Sequence, residues 1–236
     1  MANDIFQRHE IKYLVDSRQR ALLEQAFRSR MAPDPHGESS ICNIYYDTPD
    51  YQLVRASLEK PIYKEKLRMR SYGRAGEDDP VFLELKKKFD GVVYKRRICL
   101  RQRDAAAFMA GRAALPESSQ IGRELEYCLR FYRELRPSVY LCCDRSPWYS
   151  VEDPAFRATF DKNIRWRGED LRLSAPTGGQ FLLPPGLSLF EIKTAEAVPL
   201  WLAEAMDKAQ IRQVSFSKYG EAYKMICAER KGVICA

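Results

Sequence analysis

Several stretches of this chain carry charges at alternate positions, where a soluble β-protein would normally bury its core. From Lys64 to Arg70, the side chains of Lys64, Lys66, Arg68 and Arg70 share one parity while Leu67 and Met69 share the other. A strand sends alternate side chains to opposite faces, so the four bases form one cationic row. Arg8, Glu10 and Lys12 oppose His9, Ile11 and Tyr13 in the same way. Glu84, Lys86 and Lys88 oppose Val81, Leu83 and Leu85, and Arg157, Thr159 and Asp161 oppose Phe156, Ala158 and Phe160. On any one strand this is the ordinary pattern of an apolar underside and a solvated top. Recurrence on several strands, each with a Glu or Asp among the bases, points instead to a shared site for a multiply charged anion, with a metal ion beside it.

Charged rows on so many strands cannot stack against an ordinary core. Closing the sheet into a barrel would make them a wet lining and leave the apolar faces for helices outside. The local signals predict a helix over 18–30 after an Asp16/Ser17 cap, a strand over 40–46 and a turn at Asp47-Thr48-Pro49-Asp50. Strands are expected over 62–72, 81–89 and 92–100, the last two joined at Asp90-Gly91, a hairpin signal. A short helix capped by Asp104 covers 105–109, and a longer one covers 120–135. Further strands are expected at 138–143, 155–161 and 187–193, a loop at 178–185, and helices after Pro199 and over 217–227. Strands in groups separated by helices give an α+β fold built on an antiparallel β-barrel with helices packed outside, as one domain over 1–236.

The net charge of +7 favours polyanionic partners. No recognisable RNA- or DNA-binding motif accompanies the bases, so nucleic acid is not expected. Seven cysteines without CxxC spacing, two of them adjacent at Cys142-Cys143, read as reduced, mostly buried thiols. His9 and His36 are too separated to argue for zinc. No stretch is apolar enough to span a membrane and none reads as a secretory signal, which gives the expectation of a soluble cytoplasmic protein.

The ordered motifs resemble the VTC domain, the polyphosphate polymerase branch of the triphosphate tunnel metalloenzymes, a CYTH-like superfamily. They are Arg8-His9-Glu10-Ile11-Lys12-Tyr13, Ile44-Tyr45-Tyr46-Asp47-Thr48, Leu67-Arg68-Met69-Arg70-Ser71-Tyr72-Gly73 and Leu83-Glu84-Leu85-Lys86-Lys87. Val93-Tyr94-Lys95-Arg96-Arg97, Asp144-Arg145, Arg157 to Asp161, Phe190-Glu191-Ile192-Lys193 and Ser215 to Tyr219 complete the series, over about residues 5–225. The resemblance implies a basic tunnel in which the γ-phosphate of ATP passes to a growing polyphosphate chain with Mn²⁺ or Mg²⁺. It implies that Lys12, Lys66, Lys86, Lys95, Arg97, Arg145, Arg157 and Lys193 line the phosphate path, and that Arg68, Arg70 and Lys218 are catalytic. Glu191 becomes the leading metal ligand, with Glu10 and Glu84 as helpers.

Ordinary explanations stand beside these roles. Glu10 and Glu84 could simply balance neighbouring bases, and without the resemblance Lys218 reads as a solvated helix-face lysine. Tyr45, Tyr46, Trp148 and Tyr149 read as packing, with no base site assigned. Two other functions fit the same rows: a triphosphate hydrolase, since one fold hosts several chemistries, and a non-catalytic polyphosphate or nucleic-acid binder. The carboxylates within the rows favour metal-assisted transfer, which a plain binder does not need. Metal identity, chain length and oligomeric state stay open.

Overall fold

A computed structural model describes residues 9–234 other than 60, 91, 116–118 and 154, so Arg8 and Gly91 lie outside the described residues. Among the described residues, ten strands form one antiparallel sheet: β1 (His9–Val15), β2 (Met31–Pro33), β3 (Ser39–Asp47), β4 (Tyr63–Tyr72), β5 (Pro80–Phe89), β6 (Val92–Arg101), β7 (Arg136–Ser150), β8 (Arg157–Arg167), β9 (Gln180–Phe181) and β10 (Ser188–Thr194). The main path runs β1-β10-β8-β7-β3-β4-β5-β6, with β2 on β7 and β9 on β8. The register puts Lys12 opposite Glu191, Arg68 opposite Glu84 and Arg145 opposite Asp161. Charges of opposite sign therefore meet on one face, which stabilises cross-strand neighbours.

The helices are α1 (Ser17–Phe27), α2 (Gln52–Leu58), α3 (Gln102–Met109), α4 (Gln120–Tyr132), α5 (Leu200–Lys208) and α6 (Lys218–Ile234). The apolar parity of β4 and β5, with Leu67, Met69, Val81, Leu83 and Leu85, packs against Ala105 and Phe108 of α3 and Leu125 of α4. The apolar parity of β1, β8 and β10, including Tyr13, Phe160 and Phe190, packs against Leu23 and Phe27 of α1 and Leu202 and Met206 of α5. These four helices cover the outer face as the sequence predicts. The Asp16 cap is present in full: its carboxylate accepts from Gln19 N at 2.7 Å and the Gln19 side chain returns a bond from Asp16 N.

Three expectations need correction. Among the described residues the sheet does not close by hydrogen bonds, because β1 and β6 end the path unpaired to each other. The α5–α6 linker occupies the outer edge of β1 instead, with Val214 N donating to Lys12 O at 2.8 Å and Tyr13 bridged to Gln213. Side chains then span the gap, Lys86 Nζ reaching Glu10 at 3.0 Å. Secondly, α6 packs on the inward face: Tyr219, Ala222 and Ile226 meet Ile41, Tyr45, Leu141, Cys143 and Leu189. Thirdly, the turn at Asp47–Asp50 forms as expected but leads into a helix the sequence reading lacks, α2, while Asp104 lies in the first turn of α3 rather than capping it.

No described helix is long and apolar enough to cross a membrane. The described cysteines are free thiols, as the sequence predicts.

Candidate active site

The concave face holds a chamber of about 1690 Å³ whose lining includes twelve lysines and arginines against five glutamates. The excess of cations favours an anionic occupant. Each wall comes from strand parity. Glu10 and Lys12 enter from β1, and the row Lys64, Lys66, Arg68 and Arg70 enters from β4. Glu84, Lys86 and Lys88 come from β5, Lys95 and Arg97 from β6, Arg145 from β7, and Glu191 and Lys193 from β10. The start of α6 adds Ser217, Lys218 and Tyr219 at the apolar end of the same face.

Carboxylates hold these cations in three groups. Glu84, 1 % exposed, receives Arg68 at 2.6 Å, Lys95 at 2.6 Å and Arg70 at 3.7 Å. The two guanidiniums are steered further by neutral acceptors: Arg68 donates to Tyr45 Oη at 3.0 Å, and Arg70 to Asn43 Oδ1 at 2.9 Å. Glu191 receives Lys218 at 2.9 Å, with Lys12 and Arg145 each at 3.7 Å. Behind it the buried Asp161 takes a bidentate pair from Arg145, both bonds 2.6 Å, and a contact from Lys218 at 2.5 Å. Glu10 bridges Lys12 at 3.1 Å and Lys86 at 3.0 Å.

Burial alone would raise these four carboxyls, but the surrounding bases outweigh it. Glu84 is held well below the usual range by Arg68, Arg70 and Lys95, and Glu191 by Lys218, Lys12 and Arg145. Lys218 and Arg145 lower Asp161, and Lys86 and Lys12 lower Glu10. Lys218 is raised despite its burial, because Asp161 and Glu191 face it. Lys193 runs the other way: burial lowers it to about 8, only partly offset by Glu191.

Every candidate site residue named from the sequence lines this chamber except one. Arg157 has the right parity, facing with Thr159 and Asp161, but it is the first residue of β8 and lies exposed beyond the lining. Its expected place beside Arg68 and Arg70 in one cavity is corrected. Sequence reasoning missed the positioning roles of Asp161, Asn43 and Tyr45. Asp161 was visible in its row, whereas nothing in the alternation of Ile41, Asn43 and Tyr45 marks neutral residues as guanidinium acceptors. Asp47 proves structural: it is fully buried and accepts from Leu53 N, Val54 N and Tyr219 Oη, joining the start of α2 to α6.

Among the described residues no three His, Cys, Asp or Glu side chains form a cluster that could hold a metal by themselves. Mg²⁺ and Mn²⁺ do not require one, since such ions are commonly held by one or two carboxylates plus substrate phosphates. Glu191 and Glu10 share Lys12, and Thr159, directly opposite Glu191 on the ladder, keeps a buried hydroxyl with no partner. Glu191 and Glu10 line the chamber, and their oxygens fit a hard cation shared with a phosphate chain, whereas Thr159 lies outside the lining.

The VTC domain family model matches residues 7–227. Among curated proteins, the vacuolar transporter chaperone complex subunit 4 of Trypanosoma brucei brucei is 25% identical over 222 residues, covering 77% of this chain and 28% of the relative. Its counterpart in Trypanosoma cruzi is 22% identical over 233 residues, covering 83% and 29%. The chain thus spans less than a third of the length of the curated relatives it matches. Among solved structures, a candidate adenylate cyclase of Bacillus halodurans has a TM-score of 0.56 at 16% identity, covering 92% of this chain and 96% of that one. One from Vibrio parahaemolyticus reaches 0.50 at 12%, covering 94% and 99%. At these identities the two structures share the fold with this chain.

Proposed function

Taking as premise that this chain belongs to the VTC domain family, we propose that it is a polyphosphate polymerase, moving the γ-phosphoryl group of ATP onto the end of a phosphate chain within the basic chamber. The observation that carries this reading is the convergence of Arg68, Arg70 and Lys218 on one cavity, each pre-positioned by a carboxylate or neutral acceptor. Phosphoryl transfer asks the protein mainly for alignment and electrostatic stabilisation, because charge spreads over the transferring oxygens. Fixed guanidiniums in a partly buried site supply that without reorganising during the reaction. Arg68 and Arg70, two positions apart on one face, can hold neighbouring phosphates of the same chain. Lys218 approaches from the helix side and opposes charge on the departing or attacking oxygen.

Glu191, helped by Glu10, would hold the divalent cation together with phosphate oxygens. Bound there, Mn²⁺ or Mg²⁺ supplies neutralisation of phosphate charge and a template for in-line geometry. The lysines Lys12, Lys66, Lys86, Lys95 and Lys193, with Arg97 and Arg145, then form the path for the chain. Incubating the purified protein with ATP and either metal, then sizing phosphate products on a gel, tests the proposal. A ladder longer than triphosphate supports polymerisation. Orthophosphate as the sole phosphate product assigns the fold to triphosphate hydrolysis here, and tight polyphosphate binding without ATP turnover assigns it to binding.

A further inference from the structure

Lys66 is not among the cations that the chamber pairs with Glu10, Glu84 and Glu191. Its Nζ donates to Ser217 Oγ at 2.9 Å, and among the described residues no carboxylate lies within ion-pairing distance of it. Ser217 is itself the cap of α6, its Oγ accepting from Gly220 N at 3.2 Å and its carbonyl from Glu221 N at 2.8 Å. Lys66 is therefore held at the positive end of a helix dipole, where a second cation is disfavoured. Lys64 and Arg68 flank it on β4, Lys86 stands opposite on β5, Lys12 faces it from β1, and Lys218 follows its partner on α6. Four of the five carboxylates on the lining are committed to other bases, Glu10 to Lys12 and Lys86, Glu84 to Arg68 and Lys95, Glu191 to Lys218 and Glu65 to Lys87, and the fifth, Glu196, is exposed.

Resting on the reading of this chamber as a phosphate-chain site, we propose that Lys66 couples occupancy to proton uptake: without a chain it stands largely uncharged at mildly alkaline pH, and it takes up to one proton from solvent when a phosphate chain enters. The incoming oxygens replace the missing carboxylate, turning the least favourable ammonium position into a charge-assisted contact. When the chain leaves, the proton returns to solvent, so no other reactant is needed. Burial and the bases Lys86, Lys12, Lys64 and Arg68 lower Lys66 to about 7 in the empty chamber, which agrees with the geometry. Lys66 thereby becomes a pH-dependent determinant of chain affinity, distinct from the permanently charged Arg68 and Arg70.

Calorimetric titration of metal-free protein with tripolyphosphate, in buffers of different ionisation enthalpy, counts the protons taken up on binding. At pH 8 the wild type should take up about 0.9 proton more than Lys66→Arg, whose guanidinium is charged in both states. Above about pH 8, wild-type affinity should fall more steeply than that of the variant, by about tenfold more per pH unit. Lys66→Met should lose the same proton while binding more weakly, and it keeps the test open if the larger arginine fails to fold. Equal proton uptake in wild type and both variants, with tight binding throughout, would overturn the role of Lys66 and leave the phosphate-chain reading intact. No detectable tripolyphosphate binding by the folded wild type overturns both.

Discussion

At the scale of single residues, charge placement rather than charge number distinguishes the chamber bases. Lys218 makes two contacts to buried carboxylates, while Asp161 keeps the bidentate Arg145 when Lys218 is removed. Lys218→Ala and Arg70→Ala should therefore fold and lose about a hundred- to a thousandfold in turnover, with a smaller change in nucleotide affinity; comparing kcat with KM for each checks this. Arg145→Ala is different, since it strips the planar partner from a fully buried carboxylate; urea unfolding should show a loss of about 3–5 kcal/mol. The acid limb of stability follows from the same groups. Glu84 and Glu191 are held below their usual value of 4.5, so the unfolded chain binds protons first as pH falls. Their contribution should be complete above about pH 4.5 and be lost progressively below it. Urea midpoints across pH 3–6 should show this slope, and Glu84→Gln should flatten it.

At the scale of elements, strand faces were legible because a period of two is carried by every side chain. The rows of β4 and β5 place Arg68, Arg70, Glu84 and Lys86 inward as their parity requires. Ends and supports were less legible. The strand expected over 138–143 runs from Arg136 to Ser150, past an irregularity between Cys142 and Asp144 and alongside Asn163 with its positive φ of 51° on β8. A bulge shifts parity without any marker in composition. The missed α2 has a similar cause: Asp47-Thr48-Pro49-Asp50 carries turn chemistry, but Asp47 folds back to accept from Leu53 and Val54 and so starts a helix. Arg157 shows the limit of parity itself, which gives a face but not how far along the strand the chamber extends. Asp47→Ala should cost about 3 kcal/mol, because it leaves several buried donors without an acceptor, and Tyr219→Phe about 1 kcal/mol. Urea denaturation of both variants reads that difference.

At the scale of the whole molecule, the open sheet gains a closed electrostatic interior from side chains and from the linker on β1 rather than from a continuous ladder. Helix α6 fills one end of the concave face with apolar contacts and presents Lys218 at its start, so core packing and site construction share an element. With twelve bases on the lining, tripolyphosphate affinity should fall steeply as salt is raised from 50 to 500 mM, measured by the same titration. A weak salt response would place the ligand outside the chamber. Direction of transfer is tested most directly by the fate of a γ-labelled phosphate. Polymerisation predicts that label from ATP, supplied with Mn²⁺ or Mg²⁺, moves into a ladder of chains longer than triphosphate, that an α-label does not, and that Arg70→Ala abolishes the ladder. Label found only as orthophosphate, or remaining in ATP under both metals, would contradict it.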